Sequence, residues 1–170
     1  DIVLYDADNM VTEAHVEMLG RCSHLKATEV KKIKAGLKKI KKLAHSGELP
    51  WSIELEDVHM NIEHALISEI GEIGKKIHLG RSRNDLVATD TRVYLRELID
   101  VMLQHIRELQ KTCASLAMKY SDCIFPGYTH LQPAQPVTFG HHLLAWQSMI
   151  ARDEIRLMNT RSMINVLPLG

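Results

Sequence analysis

Two short polar stretches carry the side chains best suited to chemistry in this sequence. Gly80 to Asp85 reads GRSRND, and Pro126 to Pro136 reads PGYTHLQPAQP. In the first, Arg81 and Arg83 stand just before Asn84 and Asp85, where a long helix is expected to begin. A helix N-terminus offers unpaired N–H groups and the positive end of the dipole, and guanidinium groups beside it can grip a carboxylate through two parallel hydrogen bonds. Two readings stand for this stretch. It is a site for a carboxylate or phosphate, or Asp85 merely caps the helix while both arginines pair with surface acids. In the second stretch Thr129, His130 and Gln132 lie among Pro126, Gly127, Pro133 and Pro136, so a stiff backbone would present them in a set geometry. Histidine exchanges or carries a proton near neutral pH, although a lone loop histidine can equally be structural.

Other chemistry-bearing residues are less organised. His59 and Glu63 are one helical turn apart with His64 adjacent, but no further ligand is evident in the sequence, so a structural role for His59 is expected over a zinc site. His141 and His142 are neighbours, about 100° apart around a helix, and cannot easily share a ligand. Cys22, Cys113 and Cys123 show no paired spacing. Cys113 falls on an apolar helix face and reads as a small core residue.

The elements that must hold the two motifs are helical. Leu95, Leu98, Met102, Ile106, Leu109, Cys113, Leu116 and Tyr120 recur at spacings of three and four, which predicts one helix from Asn84 to about Tyr120, roughly 50 Å long. Ahead of it, helices are predicted over Asp6 to Leu19, from a Thr28 cap to His45, and over Glu56 to Ile70, followed by a glycine-marked loop from Gly71 to Arg83. Beyond the long helix comes a proline-stiffened loop from Ser121 to Val137. A last helix is then predicted, capped by Thr138 and running to about Met163, with Leu143, Trp146, Ile150 and Leu157 inward. The expected class is all-α, with residues 1–83 as a small helical domain and residues 84–170 as the start of a bundle. Two long helices cannot bury broad apolar faces alone, so they need partners from further sequence, other subunits, or both.

Composition bounds the function. The 170 residues are 45% hydrophobic and 25% charged, with zero formal net charge. That balance argues against a nucleic-acid binder that works by neutralising phosphates. The lysines between Lys31 and Lys42 surround an apolar stripe of Val30, Ile33, Leu37, Ile40 and Ala44 with no interleaved aromatics, and read as a solvated face. No signal peptide and no apolar run long enough to span a membrane is evident, so a cytosolic, reduced protein is expected. Both ends look cut, and a fragment of a longer polypeptide is expected.

EDVHMNIEHALISEIG (Glu56 to Gly71), GRSRND followed by VATDTRVYLR (to Arg96) and PGYTHLQPAQPVTFGHHLLAW (Pro126 to Trp146) together resemble the argininosuccinate lyase family of the fumarase/aspartase superfamily. The likeness runs through nearly the whole chain, including LYDAD, HVEML and the closing NVLPLG. It implies reversible elimination of argininosuccinate to arginine and fumarate, with no metal or organic cofactor. It also implies a cytoplasmic homotetramer of long-helix bundles whose active sites are shared between subunits. By the same resemblance Arg83 and Asn84, with Arg81 and Ser82 of the motif and Gln132 of the other, are substrate-binding residues. Thr129 and His130 form an active-site pair, and Asp1 aligns with an acidic substrate contact. The family's base is a serine on a glycine-rich loop outside this sequence. Lys75, Leu79 and Leu86 stand where the family usually has glycine, threonine and glutamine, which predicts an altered grip on substrate. A crystallin-like structural homologue, or a fragment that merely oligomerises, is the competing reading. A 50 Å helix between the motifs, and a reach of at most some 35 Å for the ten residues from Tyr120 to His130, predict that each site combines Arg83 and Asn84 of one subunit with Thr129 and His130 of another.

These 170 residues alone are expected to release no fumarate from argininosuccinate. Ultraviolet absorbance of the product at a rate matching a full-length enzyme would contradict this.

Overall fold

The computed structural model describes residues 1–169. Five α-helices dominate: α1 (Tyr5–Arg21), α2 (Ala27–His45), α3 (Val58–Ile70), α4 (Arg83–Lys119) and α5 (Phe139–Ile164). A two-stranded antiparallel hairpin, β1 (Ile124–Thr129) and β2 (Gln132–Thr138), joins the last two. Short 3₁₀ helices cover Ile2–Leu4, Ile53–Leu55 and Glu72–His78. The expected mainly helical class holds. Two stretches expected to be loops are ordered differently: Gly71 to Arg83 contains a 3₁₀ helix, and the proline-rich stretch is a hairpin. Proline is tolerated there because each strand of a two-stranded ribbon keeps one edge unpaired. Among the described residues no helix is long and apolar enough to cross a membrane.

The chain divides into two compact units, Asp1–Tyr94 with the last described residues from Leu167 on, and Leu95–Val166. In the first unit the α2 stripe is buried at Ile33, Leu37 and Ile40, against Val16 and Leu19 of α1 and Ile62 and Leu66 of α3. Helix α2 starts at a Lys26 cap, two residues before the expected Thr28, because Glu29 accepts a hydrogen bond from the Lys26 N–H at 2.8 Å. Lys34 pairs with Glu13 and Glu17, Lys39 with Glu69 and Lys41 with Asp6. The lysine face is thus partly neutralised by its neighbours, as a solvated face is. Helix α3 starts at an Asp57 cap whose carboxylate accepts from the Met60 N–H at 2.8 Å.

A polar network runs through this core. Asp8, fully buried, accepts from the Thr12 hydroxyl at 3.2 Å and from His59 Nδ1–H at 2.9 Å. Arg81 Nη2 donates to Thr12 Oγ1 at 2.9 Å, and His15 Nε2 donates to the Leu79 carbonyl at 2.8 Å. Asp90 of α4 is buried beside Asp8, and burial, then the Asp8 charge, pushes its carboxyl up to about 8. These bonds fasten residues 79–81 to α1, immediately before the first chemical motif.

In the second unit α4 and α5 run antiparallel. Arg96 bonds Asn165 at 2.7 Å, Arg161 Nη2 bonds Asp100 at 2.9 Å, and Arg107 and Gln110 both donate to Glu154 at 2.6 and 2.7 Å. The α4 stripe that is covered here is Ile99, Leu103, Cys113 and Ala117. Leu95, Leu98, Met102 and Leu109 of the expected stripe are exposed, as is Trp146, expected inward. One helix partner covers only one narrow seam, and both long helices keep apolar residues in water. Gly140 lets the start of α5 approach the end of α4: a Cβ there would lie 2.5 Å from the Ala117 carbonyl oxygen.

Two variants test these constraints. Asp90 has a folded pKa raised above the usual carboxylate value, so the stability it brings is complete below about pH 4 and is lost as pH rises towards 8. Asp90→Asn is therefore expected to melt near the parent at pH 4 and several degrees above it at pH 8.5 by circular dichroism. Equal midpoints at both pH values would refute the burial account. Gly140→Ala is expected to destabilise by about 1–3 kcal/mol through overpacking against helix backbone, read from its urea midpoint.

Candidate active site

The first motif is built on the N-terminus of α4. Ser82 caps the helix: its Oγ accepts from the Asn84 N–H at 3.0 Å, and Asp85 Oδ2 accepts from the Ser82 N–H at 2.9 Å. This reciprocal pair satisfies two orphan donors and sets the direction in which Arg83 and Asn84 leave the helix. Gly80, at φ +73, supplies the left-handed turn that leads into the cap. Asn84 and Ser82 are exposed.

The two arginines have separate fates. Arg81 turns inward to Thr12, and its burial lowers the guanidinium pKa, offset by the nearby Asp8 and Asp90 carboxylates. Arg83 turns outward, with Nη1 at 3.2 Å from Glu56 and 3.5 Å from Asp57. The structural reading is thus met in part: Asp85 shares in the cap and Arg83 pairs with surface acids, but Arg81 bonds a buried hydroxyl instead. The Glu56 partner is loosely held, because its side chain is 75% exposed and its backbone sits at φ 62. An exposed ion pair of this kind contributes little. A ligand carboxylate can replace Glu56 on Arg83 at small cost, while Asp57 is committed to capping α3. Asp1 lies at the same end of α3, where its Oδ2 accepts from the Val58 N–H at 2.9 Å. Asp1, Ser52, Glu56 and Asp57 line a cleft of about 280 Å³.

Lys75, Leu79 and Leu86 act differently from one another. Leu86 is buried, so its apolar side chain serves the core and does not face a ligand. Leu79 is exposed and contributes its carbonyl to His15, and Lys75 pairs with Glu72 at 2.7 Å.

The second motif is the tip of the hairpin. Thr129 pairs with Gln132 across the strands, and His130 and Leu131 form the two-residue turn at φ 46 and φ 66. Two positive φ values in succession are what the right-handed strand twist asks of such a turn, and Asn-Gly is the usual choice. Leucine is a costly one, whereas histidine is among the residues found more often at positive φ. Thr129, His130 and Gln132 are exposed, and Leu131 is 91% exposed. The base of the hairpin is secured by backbone bonds from Phe139 to Cys123 (2.8 Å) and from Gly140 to Tyr120 (3.1 Å). Thr138 caps α5 as expected, accepting from His141 at 3.1 Å. His142 packs on Phe125, Phe139 and Trp146.

The structure therefore gathers Arg83, Asn84, Ser82 and Asp1 near the ends of α3 and α4, and Thr129, His130 and Gln132 at one turn. Glu56 and Asp57 as partners of Arg83 were not foreseen. Glu56 and Asp57, which precede α3, were legible only as a helix start. His59 has the structural role expected of it, bonded to Asp8, but His78, from the 3₁₀ helix, was not expected beside it and lies against both His59 and Glu63.

The model of the lyase family matches residues 3–170. The chain is 53% identical over 167 residues to argininosuccinate lyase of Thioalkalivibrio sulfidiphilus and 52% identical to that of Chromohalobacter salexigens, covering 98% of this chain and 36% of either relative. It spans about a third of the length of the curated relatives it matches. A crystal structure of EDDS lyase in complex with formate superposes with a TM-score of 0.88 at 30% identity, over 99% of this chain and 33% of that one. A match over all but the first two residues, at such identity and with the same helical frame, leaves one assignment: the chain belongs to the lyase family.

Proposed function

We propose that the protein of which this chain is part is an argininosuccinate lyase, splitting argininosuccinate reversibly into arginine and fumarate. The observation that carries the reading is the 53% identity to an enzyme of that name across both polar motifs. A variant of the neighbouring EDDS lyase has been solved with bound fumarate, which is in keeping with a dicarboxylate in sites of this frame. In the proposed reaction the proton next to a carboxylate is removed, negative charge builds on that carboxylate, and the bond to the guanidino nitrogen breaks. Arg83, Asn84 and Thr129 are the donors aimed at the developing charge. Gln132, Ser82 and Asp1 complete the grip on substrate, with Arg81 holding the loop from below. His130 assists departure of the guanidino group by donating a proton, or holds the charge of a neighbouring group. A serine elsewhere in the whole protein abstracts the proton.

The exposed turn is in keeping with this role for His130. The turn holds His130 at φ 46 on an exposed tip, where its ring is open to a ligand. In the whole protein residues 1–83 would form the small domain and residues 84–170 would open the bundle of a cytoplasmic homotetramer. Helix α4 is unbroken for 37 residues, roughly 55 Å of helix at 1.5 Å per residue. We place Arg83 and Asn84 of one subunit with Thr129 and His130 of another.

Inactive full-length variants Arg83→Ala and His130→Ala, unfolded and refolded together, test this. With random mixing about one quarter of the sites combine two intact halves, so about a quarter of the parental activity is expected. A mixture as inactive as either variant, with hybrid oligomers demonstrated, would rule out the shared site.

A further inference from the structure

A second site lies in the first unit, on the outer end of the Asp8 network. His59 Nε2 is 3.1 Å from His78 Nε2, and His78 Nε2 is 3.0 Å from Glu63 Oε2. All three atoms lie within 4.8 Å of one another. His59 and Glu63 are one turn apart on α3, and His78 ends the 3₁₀ helix Glu72–His78.

Hydrogen bonding among these three side chains leaves one of their contacts without a proton. His59 spends its Nδ1–H on Asp8, so its neutral ring turns a lone pair towards His78. Glu63 turns another lone pair to the same atom. His78 Nε2 carries at most one hydrogen, which must serve both contacts. If that nitrogen is unprotonated instead, a protonated His59 serves it and the contact to the Glu63 carboxylate is left without a hydrogen. One proton is shared where two are needed. A cation within reach of these three ligand atoms would satisfy all of them together.

The donor set selects the cation. Two imidazole nitrogens and one carboxylate suit a borderline divalent ion such as Zn²⁺ and not Ca²⁺ or Mg²⁺, which take oxygen ligands. Tetrahedral zinc with bonds of about 2.0–2.1 Å holds its ligand atoms roughly 3.3 Å apart, so the contacts of 3.1 and 3.0 Å need only a slight opening. Asp8 on His59 Nδ1 is the partner that zinc-bound histidines ordinarily have, since it fixes the tautomer and raises the basicity of the other nitrogen. His59 is buried, whereas the His78 and Glu63 side chains are 31% and 19% exposed. That side gives the ion a route in and leaves a fourth position for water.

We infer that His59, Glu63 and His78 form a Zn²⁺ site that clips the 3₁₀ helix to α3. The clip lies two residues ahead of Gly80 and steadies the approach to the first motif. It takes no part in the elimination chemistry, and it stands whether or not the proposed activity does.

Metal-free chain titrated with zinc chloride by calorimetry is expected to bind one equivalent, with a rise of several degrees in melting temperature as zinc exceeds Kd about 100-fold. Cobalt(II) added to the metal-free chain is expected to give the visible absorption of a tetrahedral site. Glu63→Gln and His78→Gln, each checked for an unchanged helical spectrum without metal, should weaken zinc binding at least about tenfold. His64→Ala, exposed on the same helix, should bind as the parent does. If His78→Gln fails to fold, Glu63→Gln alone decides. No zinc bound by the parent, or parental affinity in the folded ligand variants, overturns the site.

Discussion

A carboxylate without solvent must be given its hydrogen bonds by the protein, and Asp8 receives them from Thr12 and His59. Leaving such a group unpaired would cost several kcal/mol, so the elements that carry its partners cannot drift. Thr12 passes the constraint to Arg81, and His59 passes it to His78 and Glu63. Asp90 brings the second turn of α4 into the same interior, holding a proton at neutral pH so that two acids can lie side by side. The loop that delivers Ser82, Arg83 and Asn84 is thereby suspended from α1 and α3 by buried polar contacts. A loop that must present a guanidinium to a ligand gains more from directional bonds than from apolar packing, which fixes depth but not orientation.

The hairpin solves the opposite problem. Its tip has unfavourable backbone angles and no core beneath it, so its position depends on its base. Gly140 allows contact between helix backbones at the join, and the rings of Phe125, Phe139 and His142 fill the corner beside it. With the base held, His130 can occupy a left-handed position that would unravel in a free peptide. The same logic explains why Thr129 and Gln132 flank it as a paired couple: cross-strand pairing sets their spacing.

Helices α4 and α5 show what a single partner can and cannot satisfy. Their shared seam is partly polar, with Glu154 receiving Arg107 and Gln110, and Gln110 receiving Gln147. Apolar residues such as Val101, Met102, Leu109, Met158 and Met163 remain in water. A directional seam with apolar flanks suits helices that sit in a larger bundle, where register matters and other helices cover the rest.

Much of this was legible in residue order alone. Spacing of apolar residues located all five helices within a few residues, since the 3.6-residue period is a local property. Thr138 was readable as a cap because its partner His141 is three residues away. The two motifs were readable because arginine, asparagine and histidine beside glycine and proline are unusual wherever they occur. Three things were decided only by the fold. Which side of α4 is covered depends on where α5 lies, so the periodic stripe and the buried stripe differ. The hairpin at Ile124–Thr138 depends on pairing across a turn whose residues disfavour it, against prolines that signal loop. The meeting of His78 with His59 and Glu63, and of Asp90 with Asp8, joins residues 15 to 82 positions apart in the chain. No local pattern encodes such distances, because they are set by how α1, α3 and the start of α4 pack around one buried charge.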